Sequence, residues 1–185
     1  HDGEQALDAW CASLGAEDVM EALTPWPDPP VLATAEAGGI RLRPWRDDDL
    51  SRLEPRDQPV HHMPGRAVLD PDTFPEWLLV RRERMALGAA LSWCVAGEDD
   101  GALGEVILFV HEGTIDDDTL ALGYLVLPSA RRRRVATAAT RLAVDHAFAP
   151  RAVGGLGARR LVAQTAEDNV GSNRVLDGLG FTIWG

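Results

Sequence analysis

Three apolar runs of strand length follow one another in the middle of this chain: Ala90 to Ala96, Leu103 to Val110 and Leu120 to Leu127. Acidic turns separate them, Glu98-Asp99-Asp100-Gly101 after the first and Asp116-Asp117-Asp118 before the third. Connections this short admit an antiparallel meander and exclude parallel pairing, which needs a crossover of about a dozen residues or more. The period then changes. Val135 to Phe148 reads as a helix, Val153-Gly154-Gly155-Leu156-Gly157 as a loop, Arg160 to Thr165 as a strand and Val170 to Leu179 as a helix, with a further strand expected from Phe181. A meander followed by strand, helix and strand makes the expected class α+β.

Upstream, Gly39 to Trp45 reads as a strand with Ile40 and Leu42 on one face. Asp47 to Leu53 reads as a helix whose acidic triplet suits the positive end of its dipole. The run His61-His62-Met63-Pro64-Gly65 interrupts, and Thr73 to Leu87 resumes as a helix with Phe74, Trp77, Leu78 and Met85 inward. Residues 1–37 form an appendage of a different kind, with eight of the 29 acidic residues and no basic one. There Leu7, Trp10, Cys11 and Leu14 fall at helical spacing, Glu17 to Leu23 fits a second short helix, and Thr24 to Pro30 is too proline-rich to be anything but an extended linker. The expected division is therefore an acidic helical extension with its linker over 1–37, docked by its Trp10 face or, as the alternative, an acidic arm that reaches toward the arginine run at 131–134, and one domain over 38–185.

Between the third strand and the long helix stand four arginines, Arg131 to Arg134, in a chain of net charge −11. A turn that leaves a strand and opens a helix already presents unpaired N–H groups and the positive end of the helix dipole. Guanidinium groups added there make the turn phosphate-seeking. The alternative is a solvated basic corner offsetting acidic neighbours.

Read with its flanks, Leu122-Gly123-Tyr124-Leu125-Val126-Leu127-Pro128-Ser129-Ala130, the arginines and Val135-Ala136-Thr137 resemble the acetyl-CoA-binding segment of the GNAT acetyltransferases, of the ribosomal-protein-alanine (RimJ/RimL) type. That pattern is Arg or Gln, two residues, Gly, one residue, then Gly or Ala, and Arg131 and Ala136 fill its ends. Its middle glycine is Arg134 here, a departure expected to be tolerated with ordinary helical dihedrals. A second stretch, Asn169-Val170-Gly171-Ser172 followed by a short helix and Gly180-Phe181, resembles the family's Asn-x-x-Ser and Gly-Phe. A third, Ile40-Arg41-Leu42-Arg43-Pro44-Trp45 with Asp47-Asp48-Asp49-Leu50, is similar to its first strand and helix. The resemblance implies the GNAT fold, a mixed central sheet containing the meander with helices flanking it. It also implies one more strand after Phe181, so with the sequence stopping at Gly185 the expectation is that either the sequence is truncated or another segment or subunit covers that edge.

The same resemblance implies a chemistry and a site. Acetyl-CoA is the expected co-substrate, its pantetheine arm pairing with the backbone of Val126 and Leu127 as an added strand. Its pyrophosphate is expected on the N–H groups from Arg132 to Thr137, across Arg133, Arg134, Val135 and Ala136, with Arg132 and Arg133 reaching the adenosine phosphates. Asn169 is implied to bond the pantetheine amides and Ser172 to protonate the departing thiolate, while as residues alone either serves equally as a helix cap. Direct attack by a primary amine, a protein N-terminal α-amine or a small molecule, calls for a proton acceptor, and Glu105 is chosen, followed by Glu112 and Glu167. The alternative is a degenerate GNAT domain that binds acyl-CoA as a sensor without catalysis.

Composition narrows the remainder. No run of eighteen apolar residues and no basic-then-apolar N-terminus occurs, so a soluble cytoplasmic protein is expected. Two cysteines, Cys11 and Cys94, make no disulfide framework. His61, His62, His111 and His146 lack the spacing of metal ligands, so no metal is expected. The arginine run without interleaved aromatics, in an acidic chain, makes RNA a poor second partner. A homodimer is left open.

Overall fold

A computed structural model describes residues 28–55, 57, 69–110 and 118–184 of the chain. The meander forms as its spacing requires: β3 (Ala90–Ala96), β4 (Ala102–Val110) and β5 (Thr119–Val126) pair antiparallel in sequence order. Two short strands extend the sheet on one side, β1 (Leu32–Ala33) and β2 (Arg41–Arg43), and β6 (Arg160–Val162) on the other. Every pairing is antiparallel except β5 with β6, so the sheet is mixed. β1 lies in the stretch read from sequence as appendage and linker, and Pro30 just before it accepts a hydrogen bond from Trp93 Nε1 at 2.8 Å.

Both faces of the sheet are covered, which is why its strands read as nearly continuous apolar runs. Alternation sends Leu42, Trp93, Val95, Val106, Leu108, Leu122 and Val126 to one face, against Val135, Ala139, Leu142, Ala143 and Ala147 of α2 (Val135–Phe148). Cys94, Leu125 and Leu127 point the other way, into an aromatic cluster of Trp45, Phe74 and Trp77 brought by α1 (Phe74–Ala86) and the end of β2. The alanines of α2 let its backbone lie close to the sheet, and Thr140 is buried there by turning its hydroxyl back to the carbonyl of Ala136. α1 stops at Gly88, whose φ of +67° suits the left-handed residue that ends a helix, and the Ala89 N–H returns to the Arg84 carbonyl.

Five expectations from sequence are corrected. Residues 47–52 form a 3-10 helix, since Asp49 is drawn under Arg43 and bonds back to the Arg46 N–H, and six residues are too few to nucleate an α-helix. Met85 is half-buried, and Arg81 takes the inward place on α1. β6 stops at Val162 and residues 181–184 are not a strand, because neither stretch has a neighbour to continue its ladder. Arg134 does not have helical dihedrals, as described below. The extension around Trp10, the second short helix at 17–23, His61, His62, His111 and Glu112 lie outside the described residues.

Candidate functional site

β5 and β6 run parallel for only three residue pairs, ending at Ala121 opposite Val162. Beyond that point β5 continues to Val126 while β6 departs, so the sheet opens into a V-shaped gap. The hydrogen bond from the Leu127 N–H to the Leu103 carbonyl sets which backbone groups face which neighbour. By antiparallel alternation, the amides and carbonyls of Tyr124 and Val126 face the gap beyond the last pair of β5 with β6 and, among the described residues, have no partner on β6. An extended amide-bearing chain can add to that edge as a strand. A bulge in β4 lies beside this end: Val95 faces Gly104 and Ala96 faces Ala102. A Cβ on Gly104 would sit 2.1 Å from the Leu125 carbonyl oxygen, so only glycine permits the strands to approach there.

The arginine tract closes the gap at its open end. Arg132 and Arg134 both have φ of +61°, with Arg133 between them on the negative side. Alternating hands turn successive N–H groups toward one side and make an anion-binding nest. Among the described residues the N–H groups of residues 132–137 meet no backbone acceptor, and the positive end of α2 lies behind them. The side chains of Arg132, Arg133 and Arg134 are exposed, and among the described residues none meets a carboxylate. These residues, with Val135, Ala136 and Thr137, therefore fit a polyanion. Arg131 is placed differently: its Nε donates to the Val126 carbonyl at 3.1 Å, and Nη1 and Nη2 grip Asp57 at 2.7 and 2.6 Å. The guanidinium holds the Asp57 carboxyl below its usual range. Beside it Glu54 accepts from the N–H of Ser129 at 3.1 Å and from its hydroxyl.

Across the gap stands α3 (Val170–Gly178), capped by Asn169, whose Oδ1 accepts from the Ser172 N–H at 3.2 Å. Capping thus falls to Asn169 and leaves the half-buried Ser172 hydroxyl without a partner among the described residues. Tyr124, the chain's single tyrosine, reaches from β5 and donates to the Ser172 carbonyl at 3.1 Å. Burial raises its phenol above the ordinary value, so it remains a neutral donor at physiological pH. The sequence showed Tyr124 on a strand far from the last helix; no periodicity could show that the splay brings its hydroxyl to that helix's first turn.

Glu105 is not an accessible proton acceptor. It is 4% exposed, and its carboxylate accepts from Arg81 Nε at 2.7 Å, from Arg81 Nη2 at 3.3 Å and from Ser92 Oγ at 2.9 Å. Arg81 also lies 4.9 Å from the centroid of the Trp77 ring. The group ties α1 to β3 and β4, and a proton placed on Glu105 would cancel the charge that faces a buried guanidinium. Sequence reasoning could have suspected this, since α1 offers Arg81 one turn after Trp77 and Leu78. Glu167 is exposed just before α3, and its carbonyl accepts from Asn173 Nδ2 at 3.0 Å.

A polar cleft of about 550 Å³ is lined by Arg52, Glu54, Glu98, Asp99, Ser129 and Arg133 among others. It takes nothing from β6 or α3 and is separate from the gap. Among the described residues no cluster of histidine, cysteine and carboxylate side chains could hold a metal, and no helix is long and apolar enough to cross a membrane.

The sequence model of one protein family, described as Acetyltransferase (GNAT) domain, matches residues 40–182. Among solved structures, RimJ of Mycobacterium smegmatis in complex with CoA-disulfide is similar, at 22% identity and a TM-score of 0.63 over 85% of this chain and 78% of that one. A ribosomal-protein-serine acetyltransferase described from Vibrio cholerae has 16% identity and a TM-score of 0.63 over 81% and 82%. RimL, titled a ribosomal L7/L12 alpha-N-protein acetyltransferase, has 14% identity and a TM-score of 0.61 over 84% and 82%. No curated protein sequence matches the chain significantly.

Proposed function

The chain belongs to the GNAT acetyltransferase family, an acetyl-CoA-dependent N-acetyltransferase by that membership, and on this premise we propose that its acceptor is the N-terminal α-amine of a protein. The observation that carries the reading is the V-shaped gap of β5 and β6 ending on an arginine-lined nest. What supports a protein acceptor is the likeness of fold to RimJ and RimL.

In this reading the backbone of Tyr124 and Val126 aligns the amide arm of the co-substrate, and Leu127, expected from sequence to share this role, does not, because its N–H is held by the Leu103 carbonyl and its own carbonyl by the Ala130 N–H. The N–H groups of residues 132–137 hold its pyrophosphate, and Arg132 and Arg133 take the adenosine phosphates. The arm directs the thioester toward the first turn of α3. Asn169 caps that turn with its oxygen and keeps its amide NH2 free for a carbonyl on the arm. Tyr124 pins the turn against β5, and the Ser172 hydroxyl donates to the sulfur as the thiolate departs. An α-amine has a pKa near 8, roughly two units below a lysine amine, so a useful fraction is neutral at physiological pH. Water relaying to an exposed carboxylate such as Glu167 can then take the proton, and Glu105 serves to hold α1 on the sheet. The acetyl carbon passes from sulfur to nitrogen, the amine loses one proton and the thiolate gains one.

Thiol release measured with peptides bearing free N-terminal amines tests the acceptor. Turnover on peptides and none on the same peptides blocked at the α-amine is expected; activity confined to small amines overturns the protein assignment. Ser172→Ala should lower kcat and leave the KM for acetyl-CoA nearly unchanged.

A further inference from the structure

Two residues other than glycine stand in left-handed conformation in the loop that follows β5, and such geometry persists only where neighbouring contacts hold it. The contacts are concentrated on the residues just before Arg132. Arg131 is bonded at three nitrogens, by the Val126 carbonyl and by both oxygens of Asp57. Ser129 is bonded by its N–H and its hydroxyl to the two oxygens of Glu54. Glu54 and Asp57 belong to one short stretch after the 3-10 helix, more than seventy residues away in sequence.

We propose that Glu54 and Asp57 are positioning residues for the anion site, a carboxylate clamp that holds Ser129 and Arg131 so that the nest of residues 132–137 is preformed. This deepens the functional reading above and rests on it. Arg131 is then a positioning residue too, and its charge is spent on Asp57 instead of on phosphate.

The proposal has a sign that simple electrostatics opposes. Neutralising two carboxylates beside a phosphate site should tighten the binding of a polyanion if charge alone counted. The same tightening is expected if the carboxylates merely compete with phosphate for the loop. A preforming clamp predicts the reverse, because the loop must then be ordered at the expense of binding.

The test is isothermal titration with CoA of the wild type, Glu54→Gln/Asp57→Asn, Arg131→Lys and the triple variant, with melting temperatures for each. The wild type should bind CoA. The two carboxylate changes should weaken binding about 5- to 10-fold. Arg131→Lys keeps the charge but loses the bidentate grip and the Nε contact, and should cost the same. The triple variant should be no worse than either, since all break one unit. With acetyl-CoA and a peptide acceptor the KM should rise while kcat at saturation stays level, which general damage to the fold would not spare. Unchanged or tighter CoA binding by Glu54→Gln/Asp57→Asn, or losses that add in the triple variant, overturns the clamp. A wild type that binds no CoA refutes the functional reading itself, a result distinct from either.

Discussion

Replacing Arg134 by glycine should stabilise the protein, although it deletes a charge and no cavity is filled. Arg134 stands at the N-cap of α2 with φ of +61° and ψ of 11°. The left-handed conformation costs an L-residue about 1 to 2 kcal/mol, and glycine removes that cost. Glycine also gives the unfolded chain more freedom, worth about 0.4 to 1 kcal/mol in the opposite direction. The exposed side chain makes no hydrogen bond, ion pair or ring contact among the described residues that would be lost. The balance is a gain of about 0.8 kcal/mol, or about 2 to 3 °C in Tm for a chain of this size. Arg134→Ala is the control, since it removes the same charge and keeps the Cβ that causes the strain. Urea unfolding of wild type and both variants at moderate salt measures the difference. A glycine variant less stable than wild type, or an alanine variant as stable as the glycine one, would refute the strain argument.

Asp49→Ala should be strongly destabilising, on the order of 2 to 3 kcal/mol by urea unfolding, since it removes two charge-assisted bonds, at 2.6 and 2.9 Å, from an Arg43 that is 3% exposed and leaves that guanidinium to Asp100. Asp100 accepts from Arg41, Arg46 and Arg43, which hold its carboxyl far below the usual range. A folded-state pKa depressed in this way gives stability that is present above the unfolded value near 4 and is lost as pH falls toward the folded one. The stability difference between wild type and Asp100→Asn should therefore be full near neutrality and shrink steadily below about pH 4; added salt should reduce it, because Asp100 is partly exposed. Cys94 is fully buried and burial pushes its thiol well above the ordinary value, so mass spectrometry after treatment with a thiol reagent should find it unmodified until the protein unfolds. Arg132→Ala with Arg133→Ala should weaken CoA binding, each lost charge-assisted contact costing on the order of 1.5 to 3 kcal/mol, and an unchanged dissociation constant would contradict the phosphate role.

The sequence by itself determined what depends on neighbours along the chain. The meander of β3, β4 and β5 was legible because apolar runs of strand length joined by short acidic turns leave one way to pair, and α2 because its apolar residues recur at helical spacing up to Phe148. The phosphate-seeking character of the arginine tract was legible for the same reason, as strand, turn and helix start adjoin. Only tertiary structure decided the roles of individual side chains. Glu105 reads as a free carboxylate until α1 lays Arg81 on it, and Arg131 reads as a phosphate ligand until Asp57 arrives from 74 residues upstream. Tyr124 and Ser172, 48 residues apart, meet only because β5 and β6 part company after three pairs. Arg134 shows the limit most directly. Its identity argued for an ordinary backbone, and the geometry of a loop fixed at both ends imposed a left-handed one, since backbone conformation at a single residue answers to the closure of the whole loop and not to that residue's preference alone.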